Sequence, residues 1–363
     1  MLIDLIAGAR PNFMKISPII KALEVRKAAG GILNYRLVHT GQHYDQNMSA
    51  SFFDQLDIPA PDVNLEVGSG TQAEQTATIM IRYEKILQDK PPKLCLVVGD
   101  VNSTMACAIV AKKLCIPVAH VEGGIRSGDW TMPEEINRIV TDSISNWFFT
   151  TSHDASENLR NSGISENQIF FVGNTMVDTL LENMQRLKTP SLWDVLNLAE
   201  KNYFLITLHR PSNVDNHSQF LRLLKFIGKG ARDFPVIYPI HPRSVKTLKN
   251  LKGVPKNIYF VDPLSYLEFN YLSKHSKAVI TDSGGITEET TIMGVPCMTL
   301  RDSTERPETV RVGTNELLGT NPENIGPAFD RLFLGRWKKG KIPELWDGKS
   351  SQRIVMALEH LLT

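Results

Sequence analysis

Short apolar runs and helix-forming stretches alternate along this chain. Residues 1–7 and 35–39 form the first two runs, and residues 94–98 are apolar without interruption, as in a central parallel strand covered on both faces. A turn containing Gly, Ser, Asn or Asp follows each run, and a stretch of helical character comes next. The repeated order of strand, turn and helix predicts Rossmann-like βα units with parallel sheets.

The βα pattern occurs in two series, separated by Thr189-Pro190. The later runs are residues 147–150 and 168–172 in the first series, and residues 203–208, 236–240, 258–261, 278–281 and 295–300 in the second. We therefore predict an α/β protein with two Rossmann-like βαβ domains, residues 1–175 and 176–345, facing each other across a cleft. Helices are predicted at residues 153–161 and 350–362 and from residues 173–175 to about residue 187, and residues 59–70 are predicted as a long loop. The final helix, within residues 346–363, is expected to pack back on the first domain.

Composition narrows the classes of protein that remain. The chain has 363 residues, is 42% hydrophobic and 22% charged, and carries a formal net charge of +1. This balance predicts no nucleic-acid partner and no membrane surface as partner, and no stretch is apolar for long enough to cross a bilayer. The four cysteines lack CxxC spacing and have apolar neighbours, which predicts core thiols in a reducing, cytoplasmic compartment: Cys95, Cys107, Cys115 and Cys297.

The stretch at residues 117–138 concentrates acids, glycines and arginines where a strand gives way to a loop and then a helix. Ligands of open parallel sheets bind beyond the carboxyl ends of the strands, so Glu122 and Glu134 are candidates for proton chemistry. The competing interpretation is that Glu134 and Glu135 only favour a helix N-terminus electrostatically.

Two other strand ends in the first series carry candidate residues. Asp100 follows the run at 94–98 and is expected in the same crevice as Glu122, although Asp is also a common helix cap. Arg10 and Lys15 stand where a glycine turn opens a helix, a place that favours phosphate; a solvated helix start is the alternative. The absence of GxGxxG argues against a dehydrogenase.

Three further loops follow strands. Gln42 and His43 stand in a polar loop after the second strand, where His43 and Asp45 are equally expected to form a local hydrogen-bonded pair. His209 and Arg210 follow the first strand of the second series, although a core position is the default for an isolated histidine. His241 follows the next strand.

The turn at residues 281–289 resembles a diphosphate site. Ser283, Gly284 and Gly285 permit close approach of the backbone at a helix N-terminus, and Glu289 is placed to accept hydrogen bonds from a ribose. A purely structural glycine turn explains the same residues. Arg301 and Arg306 add positive charge after the next strand.

Six ordered motifs give the chain its family resemblance. They are Gly8-Ala9-Arg10-Pro11-Asn12 with Lys15, Gly99-Asp100, His120-Val121-Glu122-Gly123-Gly124-Ile125-Arg126-Ser127, Pro133-Glu134-Glu135-Ile136-Asn137-Arg138, His209-Arg210, and Asp282-Ser283-Gly284-Gly285 with Glu288-Glu289, followed by the arginine-rich residues 301–308. With these motifs the chain resembles the non-hydrolysing UDP-N-acetylglucosamine 2-epimerases, which have the GT-B fold.

The resemblance implies inversion at C2 of a UDP-sugar by elimination and re-addition of UDP, in cell-envelope polysaccharide biosynthesis. It implies a catalytic group of four residues: Asp100, Glu122, Glu134 and His209. It implies contacts to the substrate or to a second, activating UDP-sugar from a larger set: Arg10, Lys15, Gln42, His43, Arg138, Arg210, His241, Phe269 on uracil, Ser283, Gly284 and Gly285 on phosphates, Glu289 on ribose, and Arg306. It further implies a homodimer, and neither a metal nor a redox cofactor.

The sequence departs from the family pattern at a few positions. Ala9 and Gly123 stand where the family commonly carries Thr and Ala, and Pro211 follows Arg210 where many relatives carry a second arginine. Four alternatives therefore stay open. They are a UDP-2,3-diacetamido-2,3-dideoxyglucuronate 2-epimerase, a hydrolysing epimerase, a GT-B glycosyltransferase, and a nucleotide-sugar sensor without turnover.

Overall fold

The computed structural model describes residues 1–41, 53, 55–240 and 252–363, apart from the side chains of Arg10, Pro211 and Ser212. The chain divides into two compact units. The first unit combines Met1–Glu182 with Glu344–Thr363, and the second unit is Asn183–Pro343. The described strands of each unit form a single parallel sheet.

The first unit alternates strands and helices in the predicted order. Its strands are β1 (Leu2–Ala7), β2 (Asn34–His39), β3 (Val63–Asn64), β4 (Leu94–Val98), β5 (Val118–Val121), β6 (Trp147–Thr150) and β7 (Ile169–Phe171). Its helices are α1 (Arg10–Ala28), α2 (Gln72–Asp89), α3 (Asn102–Lys113), α4 (Pro133–Ile144), α5 (His153–Asn161) and α6 (Thr175–Asn183), with a 3₁₀ turn at Glu166–Gln168. The strand order is β3-β2-β1-β4-β5-β6-β7, so β4 lies at the centre with all five residues buried.

The second unit repeats the architecture with six described strands. They are β8 (Phe204–Thr207), β9 (Val236–Pro239), β10 (Ile258–Val261), β11 (Ala278–Thr281), β12 (Cys297–Thr299) and β13 (Asn315–Leu317), in the order β10-β9-β8-β11-β12-β13. The helices are α7 (Leu192–Val195), α8 (Pro211–Val214), α9 (His217–Gly230), α10 (Tyr266–His275), α11 (Gly284–Met293), α12 (Pro307–Arg311) and α13 (Ile325–Phe333), with a 3₁₀ turn at Pro322–Asn324. Across both units, every described helix is too short or too polar to cross a membrane.

The pairing of β4 with β5 brings two candidate acids to one edge of the first sheet. Val98 lies opposite Val121 in the parallel register. The Gly99 amide donates to the Val121 carbonyl at 3.0 Å, so the pairing continues past the end of β4. Because parallel strands end at the same edge, Asp100 and Glu122 emerge next to each other.

The last helix, α14 (Ser350–Leu362), belongs to the first unit. Asp178 of α6 accepts hydrogen bonds from the amides of Ser350 and Ser351 at 3.1 and 2.7 Å, which satisfies amides that the start of a helix leaves unpaired. Near the other end of α14, Arg26 donates to Glu359 at 2.5 Å and ties the helix to α1. Helix α14 is therefore attached to its unit at both ends.

Several predicted elements are confirmed at both bounds: Leu94–Val98, Trp147–Thr150, His153–Asn161, Ile258–Val261, Ala278–Thr281 and Ser350–Leu362. Three predictions were wrong. The helix expected through residue 187 ends at Asn183, and the expected loop at residues 59–70 contains the edge strand β3. Cys115 is exposed and is not a core thiol, because it lies in the turn after α3 with a φ of 58°.

Candidate active site

Glu122 lies directly after β5 in an unusual backbone conformation. Its φ is 70°, in the left-handed region that residues other than glycine and asparagine rarely adopt. The side chain is 3% exposed, and one carboxylate oxygen lies 2.7 Å from the Lys15 ammonium, which is 11% exposed. Such strain persists only where surrounding contacts enforce it, and it is concentrated at functional sites. Glu122 is thus a buried acid held in place by a buried cation.

Asp100 is the second acid at this edge, and it is more accessible. Its side chain is 30% exposed, and Arg138 donates to its Oδ2 from Nε at 3.0 Å and from Nη2 at 2.7 Å. The Asn137 amide group donates to the Asp100 carbonyl at 2.9 Å. Helix α3 begins at Asn102 with Val101 as its N-cap, so Asp100 is not the cap of that helix. Its carboxylate is oriented by a guanidinium and reachable from solvent.

The two neighbouring glutamates of α4 have different surroundings. Glu135 is buried and accepts hydrogen bonds from the Ser127 and Gly128 amides and from Arg138. Burial raises the pKa of Glu135, but these donors lower it by a larger amount, so the pKa lies below its ordinary value. Glu134 is half-buried, and its carboxylate forms no hydrogen bond or ion pair with the described residues. Glu135 is therefore an anchor for the loop before α4, and Glu134 is the one left for a ligand.

The first turn of the chain supports the same edge. Asn12 accepts a hydrogen bond from the Ala9 amide at 3.0 Å and donates to the Val98 carbonyl at 2.9 Å, which fixes the start of α1 against β4. A side chain at Gly99, which has a φ of 68°, would begin 3.1 Å from the Lys15 ammonium. Lys15 therefore reaches Glu122 across the backbone of Gly99.

A second group of charges lies beneath these acids, and the sequence did not predict it. His120 of β5 is fully buried; its Nδ1 lies 2.7 Å from Asp142 Oδ1, and its Nε2 lies 2.8 Å from the Gly99 carbonyl. The other oxygen of Asp142 accepts from Arg126 at 2.6 Å and from the Gly124 amide at 3.0 Å. Only the occurrence of His120 and Arg126 in one motif with Glu122 signalled their relevance.

In the second unit, Asp282 organises the loop after β8. Its fully buried carboxylate lies 2.8 Å from His209 Nδ1 and accepts from the His209 and Arg210 amides and from Asn213. Burial raises the pKa of Asp282, but the hydrogen bonds from His209, Asn213 and the Arg210 amide lower it by a larger amount, so the pKa lies below its ordinary value. His209 is 65% exposed, so the core position considered for it is wrong. With Nδ1 at the carboxylate, Nε2 is the ring nitrogen left for a ligand.

The predicted diphosphate turn forms the start of α11. Ser283 is the N-cap residue, and Gly284 and Gly285 form the first turn. A side chain at Gly284 would begin 2.7 Å from Glu305 Oε1. Glu305 also lies 2.6 Å from Arg301, and Arg210 lies 3.9 Å from it.

Other predicted site residues of the second unit lie near this turn or in the core. Arg306 is buried and lies 2.5 Å from Glu288. Glu289 is buried, with Asn270 donating to it at 3.4 Å. Phe269 packs against a buried hydrophobic cluster. Gln42, His43, His241 and the side chain of Arg10 lie outside the described residues.

The first unit thus gathers Lys15, Asp100, Glu122 and Arg138, and the second gathers His209, Arg210, Ser283 and Gly284. Within the described part of the chain, no three His, Cys, Asp or Glu side chains are grouped so as to hold a metal ion. Two Rossmann-like units, with acids at one sheet edge and a histidine beside a glycine turn at the other, are typical of GT-B enzymes that act on nucleotide-linked sugars.

Comparisons with known proteins identify the family. The family described as UDP-N-acetylglucosamine 2-epimerase matches residues 26–359. A UDP-N-acetylglucosamine 2-epimerase of Methanocaldococcus jannaschii is 43% identical over 99% of both chains. A crystal structure of the Methanocaldococcus jannaschii enzyme in complex with UDP-GlcNAc and UDP aligns with a TM-score of 0.88 at 43% identity, over 99% of this chain and 100% of that one. A UDP-2,3-diacetamido-2,3-dideoxy-D-glucuronate 2-epimerase of Pseudomonas aeruginosa is 38% identical, over 99% of this chain and 100% of the relative.

The chain therefore belongs to the UDP-N-acetylglucosamine 2-epimerase family, and it has the GT-B fold of that family. It is a UDP-sugar 2-epimerase, an isomerase.

Proposed function

We propose that this enzyme interconverts UDP-N-acetylglucosamine and UDP-N-acetylmannosamine by elimination and re-addition of UDP. The observation that carries the proposal is the pair Asp100 and Glu122, which emerge from neighbouring strands and are each held by a buried cation. Two fixed acids at one strand edge match a reaction that removes a proton from one face of a carbon and returns a proton to the other.

The chemistry explains why acids are needed on both faces. The C2 proton lies beside no carbonyl, so its removal becomes feasible only as the C1–O bond to the diphosphate breaks. In the elimination, a base takes the C2 proton and a double bond forms between C1 and C2. The C1–O bond breaks, and its electron pair leaves with UDP. In the return step, an acid delivers a proton to the opposite face of C2 while UDP forms the C1–O bond again.

The surroundings of the acids support a division of roles. Asp100 is reachable from solvent and oriented by Arg138, which suits a group that exchanges protons with a substrate. Glu122 is buried against Lys15, and Glu134 has no partner among the described residues. We assign proton transfer and contacts to the sugar to these three acids. Lys15 also supplies positive charge, and Arg138 supports the substrate through Asp100.

The second unit suits the leaving diphosphate. His209 presents Nε2 while Asp282 holds Nδ1, so the ring is oriented to stabilise charge on the departing phosphate. The backbone amides of Ser283, Gly284 and Gly285 lie at the start of α11, where the helix dipole is positive and also attracts a phosphate. The family pattern adds uracil contact by Phe269, ribose contact by Glu289, and a position near the nucleotide for Arg306. Arg10 contributes to the phosphates in the same pattern.

The sugar itself admits a second candidate. The relative from Pseudomonas aeruginosa, 38% identical over the whole chain, is named as acting on UDP-2,3-diacetamido-2,3-dideoxy-D-glucuronate. We rank UDP-N-acetylglucosamine first because the relative from Methanocaldococcus jannaschii is 43% identical. Cytoplasmic location is proposed from the cysteines and the composition, and the domain limits at residues 175 and 345 are proposed from the order of strands and helices. A homodimer, a role in cell-envelope polysaccharide synthesis and an effector site at Gln42, Arg210 and His241 are proposed from the family resemblance.

Incubation of the protein with each UDP-sugar in heavy water tests the proposal. We expect deuterium at C2 of both UDP-sugar epimers by mass spectrometry, with no free sugar released. Release of free N-acetylmannosamine would instead establish the hydrolysing reaction, and label in the diacetamido substrate alone would establish the second candidate. Absence of label from every UDP-sugar would contradict 2-epimerisation.

A further inference from the structure

His120 stands at the centre of the first unit and has no role in the reaction described above. It lies on β5, two residues before Glu122, and its side chain is 0% exposed. Both of its ring nitrogens face oxygen atoms, Nδ1 facing Asp142 and Nε2 facing the Gly99 carbonyl. The ring therefore joins helix α4 to the turn that carries Asp100.

The hydrogen bonds of this ring determine its charge. A backbone carbonyl only accepts hydrogen bonds, so Nε2 at 2.8 Å from the Gly99 oxygen must carry a proton. An ionised carboxylate also only accepts, so Nδ1 at 2.7 Å from Asp142 must carry one too. A neutral imidazole has a single N–H and would leave one nitrogen lone pair facing an oxygen lone pair. With Asp142 ionised, the geometry fits only the imidazolium cation.

Asp142 is ionised in this arrangement. Its second oxygen already accepts from the Gly124 amide and from Arg126, so a proton on that oxygen would displace one of these two donors. A proton on the first oxygen would leave the Arg126 guanidinium paired with a neutral acid. Asp142 therefore does not supply the proton that a neutral His120 would need.

The described ion pairs around the two acids place carboxylates and cations beside each other. They join four carboxylates, at Asp100, Glu122, Glu135 and Asp142, to Lys15, Arg126 and Arg138. A protonated His120 adds a cation beside Asp142. Buried charges are tolerated when they are paired in this way.

We propose that His120 is a positioning residue, an imidazolium that holds the Gly99–Asp100 peptide and thereby sets the direction of the Asp100 carboxylate. The Gly99 carbonyl and the Asp100 amide belong to one planar peptide, so a bond to that oxygen fixes the plane from which Asp100 departs. Gly99 has a φ of 68°. Glycine can adopt many other backbone conformations, so the hydrogen bond from His120 is needed to hold this one. The inference rests on the proposed role of Asp100 in proton transfer.

Two neutral substitutions separate the bond to Gly99 from the charge. In His120→Gln the side-chain amide nitrogen takes the place of Nε2 and still donates to the Gly99 carbonyl. In His120→Asn the amide reaches only the place of Nδ1, so Asp142 keeps a donor and the Gly99 carbonyl loses its own. Both variants lose the charge, and they differ in the bond that orients Asp100.

We expect His120→Asn to lower kcat about 100-fold with little change in KM, because small displacements of a reacting group have effects of that size. His120→Gln should recover about tenfold of that loss. UDP affinity, measured by calorimetry, should stay within about twofold of the wild type in both variants, because neither change removes a group expected at the diphosphate. Equal kcat values for the two variants, or a wild-type kcat in His120→Asn, would overturn the positioning role.

The charge is tested on the unmodified enzyme and needs no turnover. In protein labelled with ¹⁵N only at histidine, two-bond proton–nitrogen spectra distinguish an imidazolium from either neutral tautomer. We expect one histidine with both nitrogens protonated at pH 7.5, whose signal disappears in His120→Gln. A neutral tautomer for that residue would overturn the imidazolium whether or not the protein epimerises any UDP-sugar. Loss of C2 exchange in the wild type, by contrast, would count against the proposed function alone.

Discussion

The two units hold their candidate reactive groups in opposite ways. In the first unit a buried cation holds each of two acids, Lys15 beside Glu122 and Arg138 beside Asp100. In the second unit a buried carboxylate, Asp282, holds the candidate cation, His209. The first arrangement keeps acids ionised and fixed, as proton acceptors must be. The second keeps an exposed imidazole oriented, which suits contact with a developing phosphate charge.

The two arrangements differ in what a substitution would disturb. Fixing acids inside a unit requires buried ion pairs, which lose stability sharply when one partner is removed. Holding an exposed histidine requires only one carboxylate, provided that other groups also donate hydrogen bonds to that carboxylate. We therefore expect substitutions in the first unit to affect both chemistry and stability, and substitutions at the exposed surface of the second unit to affect mainly UDP affinity.

The largest effect is expected from Asp100→Asn. Asparagine keeps an oxygen for Arg138 but removes the basicity, so exchange of the C2 hydrogen with solvent should fall about a thousandfold. UDP affinity should change little, because the change removes no group expected at the diphosphate. Deuterium incorporation at C2 and calorimetry with UDP measure the two quantities.

Glu84→Gln is the matched control for loss of an acid. Glu84 is exposed on helix α2 of the same unit and should leave both quantities unchanged. Exchange by Asp100→Asn at the rate of this control would show that Asp100 does not transfer the proton.

The next effect concerns stability. Lys15→Met removes the buried ammonium that lies against Glu122, and breaking such a buried pair costs about 3–5 kcal/mol. Lys21→Met is a matched comparison on the same helix, because Lys21 also lies 2.7 Å from a carboxylate, that of Glu182, but at the surface. Removing that exposed pair should cost at most about 1 kcal/mol. Urea unfolding of both variants measures the difference.

A double substitution shows whether charge causes the loss. Lys15→Met combined with Glu122→Gln removes both charges and should regain much of the stability that Lys15→Met loses. An equal loss from Lys15→Met and Lys21→Met would mean that burial of the first pair has no energetic consequence.

Glu135→Gln should show a dependence on pH that identifies an ionised anchor. The pKa of Glu135 is lower in the folded state than in the unfolded state, so its contribution is complete above the unfolded pKa of about 4.3 and is lost as pH falls through the folded pKa. At pH 7 the variant should be less stable than the wild type by about 2 kcal/mol. The difference should shrink when unfolding is measured near pH 3. A difference that stays constant between the two pH values would exclude an ionic role.

Sequence patterns predicted much of the fold, because unbroken apolar strands and glycine turns are local signals. The strands Leu94–Val98 and Ala278–Thr281 were predicted at both ends. Helix α6 was predicted too long, and the two-residue strand β3 was predicted as loop. Helix ends depend on tertiary contacts, and so short an edge strand gives almost no periodic signal.

The site was predictable to the extent that strand order determines it. Asp100 and Glu122 follow strands whose ends meet in any parallel sheet of this order, so their convergence follows from local signals. The pairing of His120 with Asp142 does not follow from strand order, because Asp142 lies on helix α4 and the packing of that helix on β5 decides which side chains meet. Likewise, no local pattern distinguishes Glu134 from Glu135, and burial of the second decides their roles.

The smallest predicted effect tests the second unit. A methyl group at Gly284 would begin 2.7 Å from Glu305 Oε1, so Gly284→Ala must displace Glu305 or shift the start of α11, where diphosphate is expected. We expect UDP to bind about tenfold more weakly, or about 1.4 kcal/mol, with little loss of stability because alanine favours a helix. Gly326→Ala, where the same methyl group meets nothing within 4 Å, is the control at the start of another helix. Calorimetry with UDP compares the two, and unchanged affinity in Gly284→Ala would remove this turn from the phosphate site and leave His209 as the main contact of the second unit.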